Sequence, residues 1–256
     1  MLKIDLNCDL GESFGNYKIG MDEEVIKSVS SANIACGFHA SDPLVMEKTV
    51  LMAKEAGVGV GAHPGFPDLV GFGRRNMNVS VPELKAMVLY QLGALDAFCR
   101  KNKIKMQHVK PHGAMYNMAA KDEKLARAIA EAVAEYDSSL ILLGLSGSQM
   151  QKASGEVGLT FKKEIFADRA YEEDGSLVAR TKPGAMIEDE NEAIERLVTM
   201  IRYGKVRAVT GKEISVEPDS VCVHGDNPKA LDFVIKIRKR LVEEGIMVER
   251  LSGQAR

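Results

Sequence analysis

Short apolar runs alternate along the chain with longer stretches in which apolar residues recur every three or four positions. The short runs predict strands at Lys3–Asn7, Ala32–Cys36, Val58–Ala62, Lys105–Val109, Leu140–Leu145, Thr160–Ile165 and Ser220–His224, with a weaker one at Ala208–Thr210. Several are rich in Val, Ile and Leu at successive positions, as strands covered on both faces are. The periodic stretches predict helices at Asp22–Ser28, Pro43–Glu55, Val81–Lys101, Asp122–Glu135, Glu190–Tyr203 and Pro228–Glu243. Three of these carry start signals, with Asp42, Ser80 and Asn227 as caps and a proline just inside the helix.

Strand–helix alternation implies a parallel sheet with right-handed crossovers, either open and doubly wound or closed into a barrel. About seven or eight strands in 256 residues, with no Pro/Ser-rich linker and no repeat, favour one β/α barrel over residues 1–256. The main excursion is Phe166–Asp189, where Asp174-Gly175 signals a hairpin turn. Lys plus Arg number 34 and Asp plus Glu 36, a net charge of −2. That near-balance supplies no field for gathering nucleic acid or a membrane surface. The longest apolar run, Leu140–Leu145, is far short of the about 20 residues a spanning helix needs. The start of the chain shows no signal-peptide pattern. The four cysteines, Cys8, Cys36, Cys99 and Cys222, are dispersed without a CxxC. Reduced thiols and a cytoplasmic location are expected.

Polar residues crowd the points where strands run into helices, which is where α/β sheets and barrels place ligands. All five histidines, His39, His63, His108, His112 and His224, lie there. In an extended His108–His112 segment, His108, Lys110 and His112 face one side and Val109 the other. An inward lysine must meet a carboxylate or an anionic substrate; Asp5, Asn7 and Asp9 share one face of the first strand, and Asp9 is the expected partner. An internal ion pair that merely holds the barrel would fit the same pattern. His and Asp in one cleft can hold a divalent metal, yet HExxH and local His/Cys spacing are absent. GxxxxGK[ST] and GxGxxG are also absent. The turn Gly144–Ser148 could hold an anion or simply cap a helix.

The segments DLNCDLGE (Asp5–Glu12), NIACGFHASDP (Asn33–Pro43), GAHPGFPDLVGFGRR (Gly61–Arg75), VKPHGAMYN (Val109–Asn117), ADRAYEEDGSLVAR (Ala167–Arg180) and CVHGD (Cys222–Asp226) together resemble the LamB/YcsF family. They run through nearly the whole chain in order. One departure is Ser41, where the family pattern usually has Gly. The resemblance implies a single (β/α) barrel, seven-stranded and related to the glycoside hydrolase and polysaccharide deacetylase barrels. It also implies a role as the A subunit of an ATP-dependent 5-oxoprolinase that works with subunits B and C, opening 5-oxo-L-proline to L-glutamate. ATP would be a co-substrate, with activation on the partner subunits.

On this reading the candidate catalytic residues are Asp9, His63, Lys110, His112 and His224. The candidate substrate-binding residues are Asn7, Glu12, His39, Asp42, Asp168, Arg169 and Asp226. A His or Asp activates water, Lys110 and Arg169 hold a carboxylate or phosphate, and Asp42 and Asp226 orient the histidines. Lys110→Ala and His112→Ala are expected to abolish turnover while leaving the fold intact. Two rivals are a metal-dependent carbohydrate deacetylase or hydrolase and a non-catalytic metabolite-binding regulator.

Overall fold

The structure is a computed structural model that describes residues 1–179, 181–225 and 227–252. Its elements in chain order are β1 (Lys3–Leu10), α1 (Asp22–Val25), β2 (Ser31–Ala35), α2 (Pro43–Ala56), β3 (Gly59–His63), α3 (Val81–Lys101), β4 (His108–Val109), α4 (Gly113–Ala119), α5 (Glu123–Asp137), β5 (Ile141–Leu145), α6 (Gln149–Val157), β6 (Thr160–Phe166), α7 (Glu190–Tyr203), β7 (Lys205–Arg207), β8 (Glu213–Ser215), β9 (Ser220–Val223), α8 (Pro228–Glu243) and β10 (Met247–Val248). Strands β1 to β6 pair in parallel in chain order; β9 pairs with β6 on one side and β1 on the other. Seven parallel strands therefore close a barrel, and closure removes the sheet edges that an open arrangement would expose.

The helices begin where their side chains dictate. Asp42 caps α2 through the Leu44 and Val45 amides. Ser80 and Glu83 form a reciprocal capping box on α3. Asn227 accepts from Ala230 N at the start of α8. Asp122 caps α5, whose Leu125, Ile129 and Val133 turn one apolar face inward; that 3.6-residue spacing buries a stripe against the strands. Val109 joins this outer apolar layer with no exposed surface.

One expectation changes and two short elements are added. Ala208–Thr210 is not a strand: it leads into the turn between β7 and β8, an antiparallel hairpin outside the barrel. Its Val and Thr read as β-formers, but Gly211, at φ +89°, supplies the turn. The Gly113–Ala119 segment forms α4, a helix hidden in the sequence by its brevity. Met247–Val248 adds a short parallel strand beside the start of β1. In the excursion, Tyr171 pairs antiparallel with Leu177 and Arg169 with Met186, around a small cluster of Ala170, Val178 and Ala185. Among the described residues no helix is long and apolar enough to cross a membrane.

Candidate active site

Strand register stacks the polar residues in layers inside the barrel. The deepest layer is centred on Asp5, whose carboxylate accepts the hydroxyls of Ser30 at 2.7 Å, Ser31 at 2.6 Å and Ser220. Burial raises its pKa to about 6, outweighing the three donors.

The next layer holds the inward lysine. Lys110 Nζ lies 2.8 Å from Glu164 Oε1, 3.1 Å from Asp9 Oδ1 and 3.0 Å from Asn7 Oδ1, and also meets Cys222 Sγ. Burial disfavours its charge, but the neighbouring Asp9 and Glu164 outweigh that, so the ammonium persists well above the usual lysine range. Asn7 donates to Glu164 and Ser220. Tyr116 OH donates to Glu164. Asn33 bridges Asn7 and Asp9 with its amide and accepts from His108 Nε2. Gly61 stands in register between Asn33 and His108, and a Cβ there would lie 2.1 Å from the His108 ring. The glycine makes the space this imidazole fills. Burial, reinforced by the Lys110 charge nearby, lowers the His108 pKa to about 3.

Above this layer lie three histidines and a carboxylate. His39 stacks flat on His112, with centroids 3.7 Å apart and planes 3° from parallel. His63 stands edge-on to both. Glu12 Oε1 is 3.4 Å from His39 Nε2 and 3.7 Å from His112 Nδ1. Burial lowers the His112 pKa to about 3 and pushes His39 down as well. His63 Nε2 approaches Asp9 Oδ2 at 3.2 Å. Burial raises the Asp9 pKa, but His63 and Lys110 prevail and hold the carboxylate well below its usual range. The loop after β3 buttresses the stack. Asp68 ties down Gly71 N and Arg75, Phe72 takes the left-handed φ of +53°, and its carbonyl accepts from His112 Nε2 at 2.8 Å. A strained aromatic at such a position marks a site the surrounding structure overdetermines.

The mouth is formed by partly exposed groups. Asp168 Oδ2 and His224 Nδ1 are 3.5 Å apart, with about a fifth to a quarter of each side chain exposed. Burial would raise Asp168, yet the contact with His224 keeps its pKa below the usual value. Asp9, Cys222 and His224 bring one ligand atom each within 4.8 Å of one another. Arg74 lies exposed over the Phe72 ring at 5.1 Å.

The structure brings Asp9, Glu12, His39, His63, Lys110 and His112 together, with Asp168 and His224 beside them. It reassigns the roles of four residues, Lys110 among them. Lys110 and Asn7 are buried and fully engaged inside the wall, so neither is available to hold a substrate anion. Asp42 spends both oxygens on backbone amides, those of Leu44, Val45 and Gly15, which makes it a cap and a loop tie. Arg169 is buried and donates to Val178 O, knitting the excursion. Asp226 lies outside the described residues. The sequence pattern did not single out Glu164, Asn33, Tyr116 and Phe72. Glu164 had a signal: it shares a strand face with Lys162, two residues earlier, in the expected strand Thr160–Ile165.

Two groups offer ligand atoms for a metal: Glu12, His39, His63 and His112, and Asp9, Cys222 and His224. A metal sits in the plane of an imidazole, about 2.0–2.1 Å from nitrogen. Rings stacked in parallel 3.7 Å apart cannot both meet that condition for one ion, so His39 and His112 do not ligate one ion together as arranged. In the second, Cys222 Sγ already contacts the Lys110 ammonium, and burial holds its thiol protonated well above the usual range.

A closed seven-stranded parallel β/α barrel with a buried His/carboxylate/lysine site at the C-terminal ends of its strands defines the class. The chain belongs to the LamB/YcsF family, whose pattern it matches over residues 4–256. It is 68% identical over 248 residues to the 5-oxoprolinase A subunit of Clostridium beijerinckii, spanning 97% of each chain. It is 54% identical over 247 residues to that of Pyrococcus abyssi, spanning 96% of this chain and 97% of that one. The crystal structure of a lactam utilization protein from Thermus thermophilus superposes with a TM-score of 0.93 at 45% identity, covering 98% of this chain and all of the other. A family 4 carbohydrate esterase from Streptomyces lividans, at 11% identity and a TM-score of 0.53 over 99% of this chain and 94% of that one, shares the barrel fold.

Proposed function

We propose that the chain is the ring-opening component of an ATP-dependent 5-oxoprolinase, working with partner subunits B and C in the cytoplasm to convert 5-oxo-L-proline to L-glutamate. The observation that carries this reading is 68% identity across 97% of a relative of that name. The site chemistry agrees with it.

An unstrained lactam carbonyl is protected by amide resonance. ATP consumed on the partners places phosphate on the lactam oxygen and makes the carbon electrophilic. Water then adds to that carbon in the barrel mouth. The C–N bond breaks with its electron pair on nitrogen, which takes a proton. The resulting acyl phosphate gives glutamate and inorganic phosphate with a second water. Asp9 is held as an anion too firmly to serve as a strong base, so the base that removes the proton from water is His224, oriented by Asp168 as in other His–carboxylate pairs. Lys110 fixes Asp9 rather than the substrate. Arg74, exposed beside the mouth, is the guanidinium that can meet a carboxylate or phosphate.

A metal-dependent carbohydrate deacetylase would require an ion on the histidine set, where the stack keeps His39 and His112 from sharing one. Reconstitution tests the proposal: glutamate and ADP are measured from 5-oxoproline and ATP with this chain alone, with B plus C, and with all three. Glutamate only in the full mixture is expected. Glutamate from B plus C without this chain refutes the assignment, and binding of 5-oxoproline with no turnover in the full mixture supports the regulator instead.

A further inference from the structure

His63 Nε2 and His112 Nδ1 converge to 2.9 Å. The far nitrogen of each ring rests on a backbone carbonyl, His63 Nδ1 on that of Lys110 at 2.6 Å and His112 Nε2 on that of Phe72 at 2.8 Å. A metal-ligating histidine almost always places its other ring nitrogen on such an acceptor, which fixes the ring and directs the near nitrogen. Carboxylate oxygens flank the pair: Asp9 Oδ2 is 3.2 Å from His63 Nε2, and Glu12 Oε1 is 3.7 Å from His112 Nδ1. One donor atom from each of Glu12, His63 and His112 lies within 4.8 Å of the other two, and all three residues are buried. Around an ion about 2.1 Å from each donor, neighbouring donors stand about 3.0 Å apart at a right angle and about 3.4 Å apart at the tetrahedral angle. The contacts at 2.9, 3.2 and 3.7 Å bracket those values.

We infer that His63 Nε2, His112 Nδ1 and Glu12 Oε1 ligate one divalent transition-metal ion, zinc by this mix of imidazole and carboxylate, with Asp9 beside it as a further negative charge. The choice of His112 over His39 follows from the stack and from the anchors. Parallel rings 3.7 Å apart cannot both point a nitrogen in plane at one ion. His112 has its far nitrogen anchored, whereas neither nitrogen of His39 has a hydrogen-bond partner among the described residues. His39 instead covers the His112 ring and brings Nε2 to 3.4 Å from Glu12 Oε1, so it is a positioning residue for both ligands.

The loop after β3 is shaped around His112. Phe72 at φ +53° turns its carbonyl to His112 Nε2. Gly73 leaves room for the ring: a Cβ there would lie 2.8 Å from His112 Cδ2. The backbone strain at Phe72 thus has a use, which is to fix a ligand. Asp9 divides its oxygens, with Oδ1 on Lys110 at 3.1 Å and Oδ2 on the His63 side at 3.2 Å. A divalent cation gives this buried carboxylate a further positive neighbour and offsets part of its desolvation. The assignment does not rest on the ring-opening reading. When bound, such an ion supplies a Lewis acid to an oxygen presented at the mouth.

The test uses the full chain, stripped with a chelator and dialysed, then titrated with zinc and with cobalt as its spectroscopic substitute. Calorimetry should read one zinc per chain, and free zinc at about 100 times the Kd should raise Tm by about 5–10 °C. Cobalt should show the visible bands of an ion held by nitrogen and oxygen, without the ultraviolet charge-transfer band of a thiolate. His63→Gln and His112→Gln should each weaken zinc binding by more than about 100-fold, beyond what loss of a ligand's own hydrogen-bond partner brings, and His39→Gln by only about 10-fold. Circular dichroism of the metal-free variants checks that they fold. Glu12→Gln keeps the side-chain volume and should give the same loss of affinity where a histidine variant does not fold. A stripped wild type that takes up no zinc, or an affinity unchanged in Glu12→Gln and in the folded histidine variants, overturns the inference. A thiolate band would place the ion on Cys222 and overturn it too, as would a larger loss in His39→Gln than in His112→Gln.

Discussion

Replacing Lys110 with methionine removes the cation lying between Asp9 and Glu164 while keeping a chain of similar volume. At 2.8 Å and 3.1 Å each attraction is worth about 5–6 kcal/mol at an effective dielectric near 20. Desolvation of three charges cancels most of that in the native protein. The variant keeps the desolvation of Glu164, which has no exposed surface and retains only the Asn7 amide and the Tyr116 hydroxyl. The expected loss is therefore about 3–5 kcal/mol, the usual result of stripping one partner from a buried pair. For a chain of this length that lowers Tm by roughly 10 °C. This corrects the expectation that a Lys110 substitution leaves the fold intact: it costs stability as well as turnover. The companion variant Lys110→Met/Glu164→Gln removes the stranded charge and should recover at least half of the lost Tm, with glutamate formation still absent. Thermal unfolding by circular dichroism at pH 7 reads both. A single variant within about 1 kcal/mol of wild type, or a double variant no more stable than the single, would refute the account of Lys110 as an internal counter-ion.

Acid should weaken the fold through its buried imidazoles. His108 and His112 have folded values of about 3 against 6.5 unfolded, so the stability they lend is complete above pH 6.5 and is lost as pH falls toward 3. At pH 4.5 each costs about 2.7 kcal/mol, and Asp5, with its folded value of about 6, returns about 2 kcal/mol because its buried carboxyl is then protonated. Denaturant midpoints should therefore fall between pH 6.5 and 4.5, and a flat profile there would contradict these burials. Ser41 sits at φ +76°, where a Cβ is strained, so Ser41→Gly should raise stability by about 0.5–1 kcal/mol in urea unfolding; a loss of stability would show that the Ser41 hydroxyl matters more than the backbone. A Cβ on Gly65 would lie 2.5 Å from the His39 ring, so Gly65→Ala should displace that ring and cost about 1–3 kcal/mol, a cost that an unchanged Tm would rule out. His224→Asn, assayed with B and C present, should cut glutamate formation by about 10²-fold or more with Tm unchanged; near-wild-type turnover would remove His224 as the base.

Much of the fold was legible along the chain. Six helix starts or stretches and seven barrel strands follow from periodicity, caps and prolines, because those signals act within a few residues. Ala208–Thr210 misled because β-branched composition cannot distinguish a strand from the turn beside it. The candidate site was legible as a set of junctions, and the inward face of Lys110 followed from the two-residue period of an extended chain. The Ser41 departure also became meaningful only with its backbone angle: the left-handed conformation explains why glycine suits that position.

The sequence by itself determined which residues face inward and at which end of the barrel the chemistry gathers. What only the tertiary structure decided is who meets whom. Glu164, 54 residues beyond Lys110, becomes its partner because β6 closes onto β9 and β9 onto β1. His39 and His112 stack because Gly65 and Gly73 leave room for their rings. Whether a lysine binds substrate or balances a buried carboxylate, and which groups a buried histidine meets, depends on distances of about 3 Å between residues far apart in sequence. Spacing along one strand cannot encode those distances; barrel closure sets them.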